Sequence, residues 1–357
     1  MCITGIISGP ISIIQTAPSL KCCSFKQCRS EALRWSFNRM KEDDKIKIGI
    51  SACLLGQEVR FDGGGLKPPL INKTFAEYFS YVPFCPEVGI GMGVPRESIR
   101  LEKKQDKIIL IAPKSGTDYT DKMIDYSRKK VESLSQMNLC GFILKKDSPT
   151  CGMERVKIYD HNKVPTKTGV GIFAQILMEK FPLIPVEEEG RLNDIRLREH
   201  FVERVFAIDR IKKFIITLPD PGKLMVFHAK HKMQLMVHHP QKYRLLGRKV
   251  AAVREMDREK FLHEYQEFFM EIMQQMPTVK KHTDVLYHLL GFFKNKITPE
   301  DKQEFIELVK QYRLGQIPII VPLTMINHYL KKYPVDWLAS QTYLDPYPRE
   351  LMLRSYL

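Results

Sequence analysis

The 357-residue chain has no cysteine after position 151. A disulfide-stapled secreted scaffold is thereby excluded, since it would not leave its entire second half unbridged. Of the eight cysteines, Cys2, Cys22, Cys23 and Cys28 crowd the beginning, and Cys53, Cys85, Cys140 and Cys151 are scattered through the next block. The last four show none of the close pairing that zinc ribbons and fingers require. Long apolar runs are missing as well. No stretch approaches the ~18 to 20 uninterrupted apolar residues of a membrane helix, so a soluble, cytoplasmic protein with no membrane partner is expected. The opening "MCITGIISGPISIIQTAPSLKCC" is interrupted by Gly5, Gly9 and Pro10, and no Lys or Arg precedes it. A signal peptide needs a positive start, so secretion is not expected. Negative charge is in deficit: 41 Asp and Glu face 56 Lys and Arg, a net charge of +15. Such a surplus favours a polyanionic partner, nucleic acid above all.

A chain of this length has two domains as its default. From Lys45 to about Glu189 strand and helix patterns alternate. "IKIGIS", "YVPFC", "KIILIAP", "GFILKK" and "LIPV" read as strands. "PLINKTFAEYFS", "TDYTDKMIDYSRKKVESLSQMN" and "GIFAQILMEKF" read as helices, with a loop after "GFILKK". This alternation predicts an α/β fold with a mostly parallel sheet and flanking helices, followed by an all-α second domain. The long helix "RLNDIRLREHFVERVFAIDRIKKFI" starts at an Asn193 or Asp194 cap, and "LPDPG" breaks it as the best linker. Beyond lie helical patterns, one opening at Thr298-Pro299-Glu300-Asp301 with a hydroxyl cap and a first-turn proline. The expected boundaries are 1–45 for a disordered or extended tail without assigned function, 46–190 for the α/β domain, 191–222 for a helical connector and 223–357 for the helical domain. Residues 201–357 hold 25 Lys or Arg against 17 Asp or Glu.

Three cysteines share one context. Cys53 follows "IKIGIS", Cys85 closes "YVPF" and Cys151 lies just past "GFILKK" on a Ser-Pro-Thr turn. In a parallel sheet all three reach the carboxyl edge, where sites form. Cys140 starts its strand instead and, at ~3.3 Å per residue, lies roughly 20 Å from that edge. Three thiolates without a fourth suggest an iron–sulfur cluster with one open iron; three unrelated buried thiols are the alternative. Glu87 stands two residues after Cys85 and Ser148 three before Cys151, supplying a base and a proton donor. They also read as a helix-capping carboxylate and a turn hydroxyl. "VRFDGGG" adds a glycine run that lets backbone approach a ligand, and Arg60 with Asp62, equally able to pair with each other. Lys146 can hold a substrate phosphate or merely solvate the strand end. His228, His231, His238 and His239 look metal-like but lack the acidic partner of an H-E-x-x-H helix, so core histidines are favoured. Eight of the ten histidines follow residue 200, which suits an RNA-facing domain.

"SACLLG…VRFDGG", "CPE…G…PR" and "K.DSPTCG" resemble, in order and over residues 46–187, the thiouracil desulfidase (TudS-like) family. The helical half, from "FHAKHKMQLMVHHPQKYRLLG" to "YLDPYPRELMLR", resembles the YbgA-like domain often fused to it. Together they are similar to RudS-type enzymes, which remove sulfur from 4-thiouridine in tRNA. The resemblance implies a 4Fe-4S cluster held by Cys53, Cys85 and Cys151, with Glu87 and Ser148 as catalytic carboxylate and hydroxyl. It implies non-redox, hydrolytic C–S cleavage at the open iron, giving uridine and sulfide from tRNA carrying 4-thiouridine. Free thiouracil-type small molecules are the rival substrates, and a nucleic-acid-binding protein with a structural metal is the non-enzymatic rival. Phe61 and Thr150 stand where relatives often carry Tyr and Ser, and neither is a ligand position.

Overall fold

The computed structural model describes residues 44–253 and 257–355. The expected tail, up to residue 43, and the four N-terminal cysteines fall outside the described residues. Strand β1 (Ile46–Ser51) carries Ile46, Ile48 and Ile50 almost wholly buried on one face, and on the other Lys47 is exposed while Gly49 and Ser51 are buried. It pairs in parallel with β2 (Phe79–Phe84) on one side and β6 (Gly141–Leu144) on the other. β9 (Val186–Glu188) pairs in parallel with β6, giving a four-stranded sheet of order β2-β1-β6-β9. Among the helices of this part are α1 (Pro86–Gly89), α2 (Thr120–Ser135) and α3 (Ile172–Lys180). The α/β reading with a mostly parallel sheet, followed by a helix-rich region, is borne out.

A second sheet was not legible. "KIILIAP" (β4, Lys107–Ala112) forms an antiparallel hairpin with β3 (Arg100–Lys104), turned at Gln105, whose φ is +54°. β5 (Thr117–Asp118), β7 (Val156–Tyr159) and β8 (Pro165–Gly169) complete a five-stranded mixed sheet, order β5-β4-β3-β7-β8. The expected loop after "GFILKK" therefore contains a hairpin. "RLEKK" and "PTKTG" are too polar to show an apolar alternation, because most of those positions face water. "PLINKTFAEYFS" is a correction too. It makes two short helical turns before Phe79 and Ser80 enter β2.

Helix α4 (Ile195–Ile215) starts at Asp194, whose carboxylate accepts the backbone N–H groups of Arg196 and Leu197. After Asp220 and Pro221 come α5 (Pro221–Lys230), α6 (Lys232–His238), α7 (Pro240–Ala251) and α8 (Arg258–Met273). A break at His231 separates α5 from α6. α9 (Val279–Gly291), α10 (Pro299–Arg313) and α11 (Ile320–Lys332) pack around Leu286, Phe293, Phe305 and Ile326. Thr298 and Asp301 close the anticipated start of α10 as a reciprocal capping box. One apolar cluster joins sheet and helices: Ile48 and Ile143 meet Phe201, Val202 and Val205 of α4, and continue to Tyr265 and Phe269 of α8. Each such buried side chain contributes about 1.5–3 kcal/mol.

Candidate active site

β1 runs between β2 and β6, so the chain leaves it in opposite directions and a crevice opens at its carboxyl end. Each of the three strands is followed by one of the singled-out cysteines. Cys53 lies in the tight helical turn Ala52–Leu55 immediately after β1, and Cys85 caps α1 after β2. Cys151 follows β6 on a turn that Ser148 builds. The Ser148 hydroxyl accepts the N–H groups of Cys151 at 3.1 Å and Thr150 at 3.3 Å. Gly171 presses on this turn, and a Cβ there would sit 2.5 Å from the Thr150 carbonyl. Only glycine permits that approach.

All three cysteines line one cavity of about 380 Å³, together with Glu87, Arg96, Ser148 and Thr150. Burial, then the neighbouring Cys85, pushes the Cys53 thiol up to about 11. Burial likewise raises Cys85, and raises Cys151 well beyond the ordinary thiol range, with Glu87 and Cys85 adding to it. Cys140 sits at the amino end of β6, its N–H bonded to the Lys47 carbonyl, and does not line the cavity.

The donor set fits an iron–sulfur cluster. Three thiols reach one cavity from three strands, and a soft cation would offset the charge they carry once their protons are displaced. Among the described residues, no three His, Cys, Asp or Glu side chains are arranged around a single metal ion. The histidines do not supply a metal site: His228 Nδ1 meets the Tyr265 hydroxyl, and His231 Nδ1 meets the Phe227 carbonyl, both inside the helical core.

Glu87 is held from two sides. Arg96 Nε donates to Glu87 Oε2 at 3.1 Å, and Arg96 Nη2 reaches the same oxygen. The Thr150 hydroxyl donates to Glu87 Oε1 at 2.9 Å and lies 3.0 Å from the Ser148 hydroxyl. Arg96 was not singled out from sequence, and Thr150 was noted only as a departure from relatives, although "PR" and "SPTC" lie within the motifs that carry Glu87 and Cys151. Arg60 pairs with Asp62 at 3.1 Å on the cavity rim, the structural alternative for both. Lys146 stands on the same rim, exposed, with Asp147 at 3.8 Å. The glycine run does not approach the cavity. Gly65 instead lies against the backbone of Gly56, where a Cβ would come within 2.6 Å of a carbonyl oxygen.

Residues 48–189 match the family model described as 2-thiouracil desulfurase, and residues 232–348 match a model described as a protein of unknown function, DUF1722. The uncharacterized protein YbbK of Bacillus subtilis (strain 168) is 30% identical over 155 residues, 42% of this chain and 99% of that protein. The chain belongs to the 2-thiouracil desulfurase family. The uncharacterized protein YbgA of Escherichia coli (strain K12) is 29% identical over 164 residues, 46% of this chain and 97% of that protein. Among solved structures, a 4Fe-4S-dependent thiouracil desulfidase, TudS, shares 29% identity over 42% of this chain and 95% of its own, with a TM-score of 0.35. No helix among the described residues is long and apolar enough to cross a membrane.

Proposed function

We propose that this member of the desulfurase family removes sulfur from 4-thiouridine in tRNA, in the cytoplasm, with a 4Fe-4S cluster held by Cys53, Cys85 and Cys151. One observation carries the reading: three cysteines distant in sequence end on a single cavity that also takes in Glu87 and Ser148. Its volume of about 380 Å³ lies in the range of small-molecule sites and would be shared between the cluster and the reacting base. When bound, the cluster would supply a Lewis-acidic iron without a protein ligand, open to a thiocarbonyl sulfur. Glu87, oriented by the Arg96 guanidinium, takes a proton from the attacking water. The protons taken from water pass through the Thr150 and Ser148 hydroxyls to the departing sulfur, so both hydroxyls end as they began. A C–O bond replaces the C–S bond, hydrogen sulfide leaves, and no net electrons move.

The RNA half of the reading rests on charge. Helix α7 carries Lys242, Arg244, Arg248 and Lys249 and no acidic residue, which suits a phosphate backbone. A thiolated base must also leave its stack, at a cost of a few kcal/mol that backbone contacts would offset. The same cavity equally favours free thiouracil as substrate. Sulfide release from thiolated tRNA and from free 2-thiouracil, assayed side by side, separates the two. The higher kcat/KM is expected on tRNA. Faster turnover of the free base moves the function to the small molecule, and no turnover of either returns a binding protein with a structural metal.

A further inference from the structure

We propose that Arg96 and Thr150 are positioning residues of this site, holding the Glu87 carboxylate in one orientation and coupling it to Ser148. The inference rests on the catalytic reading of Glu87 and Ser148. Arg96 is fixed before it meets Glu87: Nη1 donates to the Gly93 carbonyl at 3.3 Å and Nη2 to the Val59 carbonyl at 3.0 Å. Its side chain is 5% exposed. The Val59 carbonyl also faces the Cys85 sulfur at 3.8 Å, so the guanidinium and a cluster-holding cysteine share one reference point.

The acceptor positions of the carboxylate can be counted. A carboxylate offers about four lone-pair sites. Arg96 takes both on Oε2, through Nε and Nη2. Thr150 takes one on Oε1, which leaves a single position on Oε1 for water. A carboxylate only accepts, so the one hydroxyl hydrogen of Thr150 goes to Glu87 at 2.9 Å in preference to the Cys151 sulfur at 3.7 Å. Ser148 then donates its own hydrogen to Thr150, over the 3.0 Å between the two hydroxyls. Thr150 is fully buried, so water does not compete for either bond. The fork geometry matters: a lysine ammonium at position 96 is a point charge that cannot make the paired contact. A carboxylate misplaced by about 1 Å loses on the order of 10²-fold in rate.

The experiment is a cycle on the full chain, purified without oxygen, with sulfide release in single turnovers, KM, iron content and thermal midpoint all measured. Thr150→Val should lower the rate about 10²-fold, with KM, iron and midpoint nearly unchanged, and Thr150→Ser should restore most of it. In a Glu87→Gln background the Thr150→Val change should cost nothing more, because it acts through Glu87. A full rate in Thr150→Val, or the same fold loss with and without Glu87, overturns the proposal. A near-normal rate in Glu87→Gln alone overturns the catalytic reading instead. If Thr150→Val sheds its iron, Arg96→Lys runs the same cycle. Iron loss in both variants assigns the two residues to cluster retention and overturns positioning.

Discussion

Lys212 donates to the carbonyl oxygen of Leu139 at 2.7 Å, fastening helix α4 to the segment that enters β6. The same helix buries Phe201, Val202 and Val205 in a cluster that runs from the parallel sheet to α8. Helix α4 therefore belongs to both halves. A chain ending near Pro219 would strip α8 from α4 and bare that apolar face, so it should aggregate or melt well below the full chain. The full chain should unfold in one cooperative transition by circular dichroism. A soluble fragment with an unshifted melt would show that the sheet region stands alone.

The parallel sheet was legible because β1 repeats isoleucine at every second position and β6 is a continuous apolar run, and the cysteines were legible because each follows a strand of this sheet. The five-stranded sheet was not. Arg100–Lys104 buries only Leu101 and Pro165–Gly169 only Gly169, so neither shows an apolar alternation and their pairing comes from turn geometry and neighbours. Arg96 escaped for another reason. It meets Glu87 only after nine residues fold back through a loop, and no periodicity announces such a pairing.

Acid should destabilise the helical region early. Burial lowers His200 and His228 to about 4, and His231 and His282 to about 3. These imidazoles stay neutral in the fold but bind protons once unfolded, near pH 6.5. The unfolded state thus holds more protons between those values, and stability falls as pH drops from about 6.5 toward 4, each group contributing up to about 1.4 kcal/mol per pH unit. Thermal melts across this window should show a steadily falling midpoint, and a flat profile would refute the buried neutral assignment.

Charge reversal on α7 should separate RNA binding from chemistry. Arg244 and Arg248 are exposed, one helical turn apart. Arg244→Glu with Arg248→Glu should weaken tRNA binding and reduce the slope of log K against log salt by about 1 for each phosphate no longer neutralised. Turnover of free 2-thiouracil should persist. Unchanged tRNA affinity and slope would place the RNA surface elsewhere.

Single Cys53→Ala, Cys85→Ala and Cys151→Ala substitutions should each abolish iron retention, since each removes one of three anchors. Cys140→Ala should keep the iron, because this thiol lies at the opposite end of β6. Visible absorbance of the four variants reads the outcome. Retained iron in any of the first three, or its loss in the fourth, would redraw the ligand set.

The most direct measurement is the iron and acid-labile sulfide content of the full chain purified without oxygen. Three cysteines converging on one cavity predict brown protein with about four irons and four sulfides per chain. Colourless protein holding one zinc per chain would contradict the account.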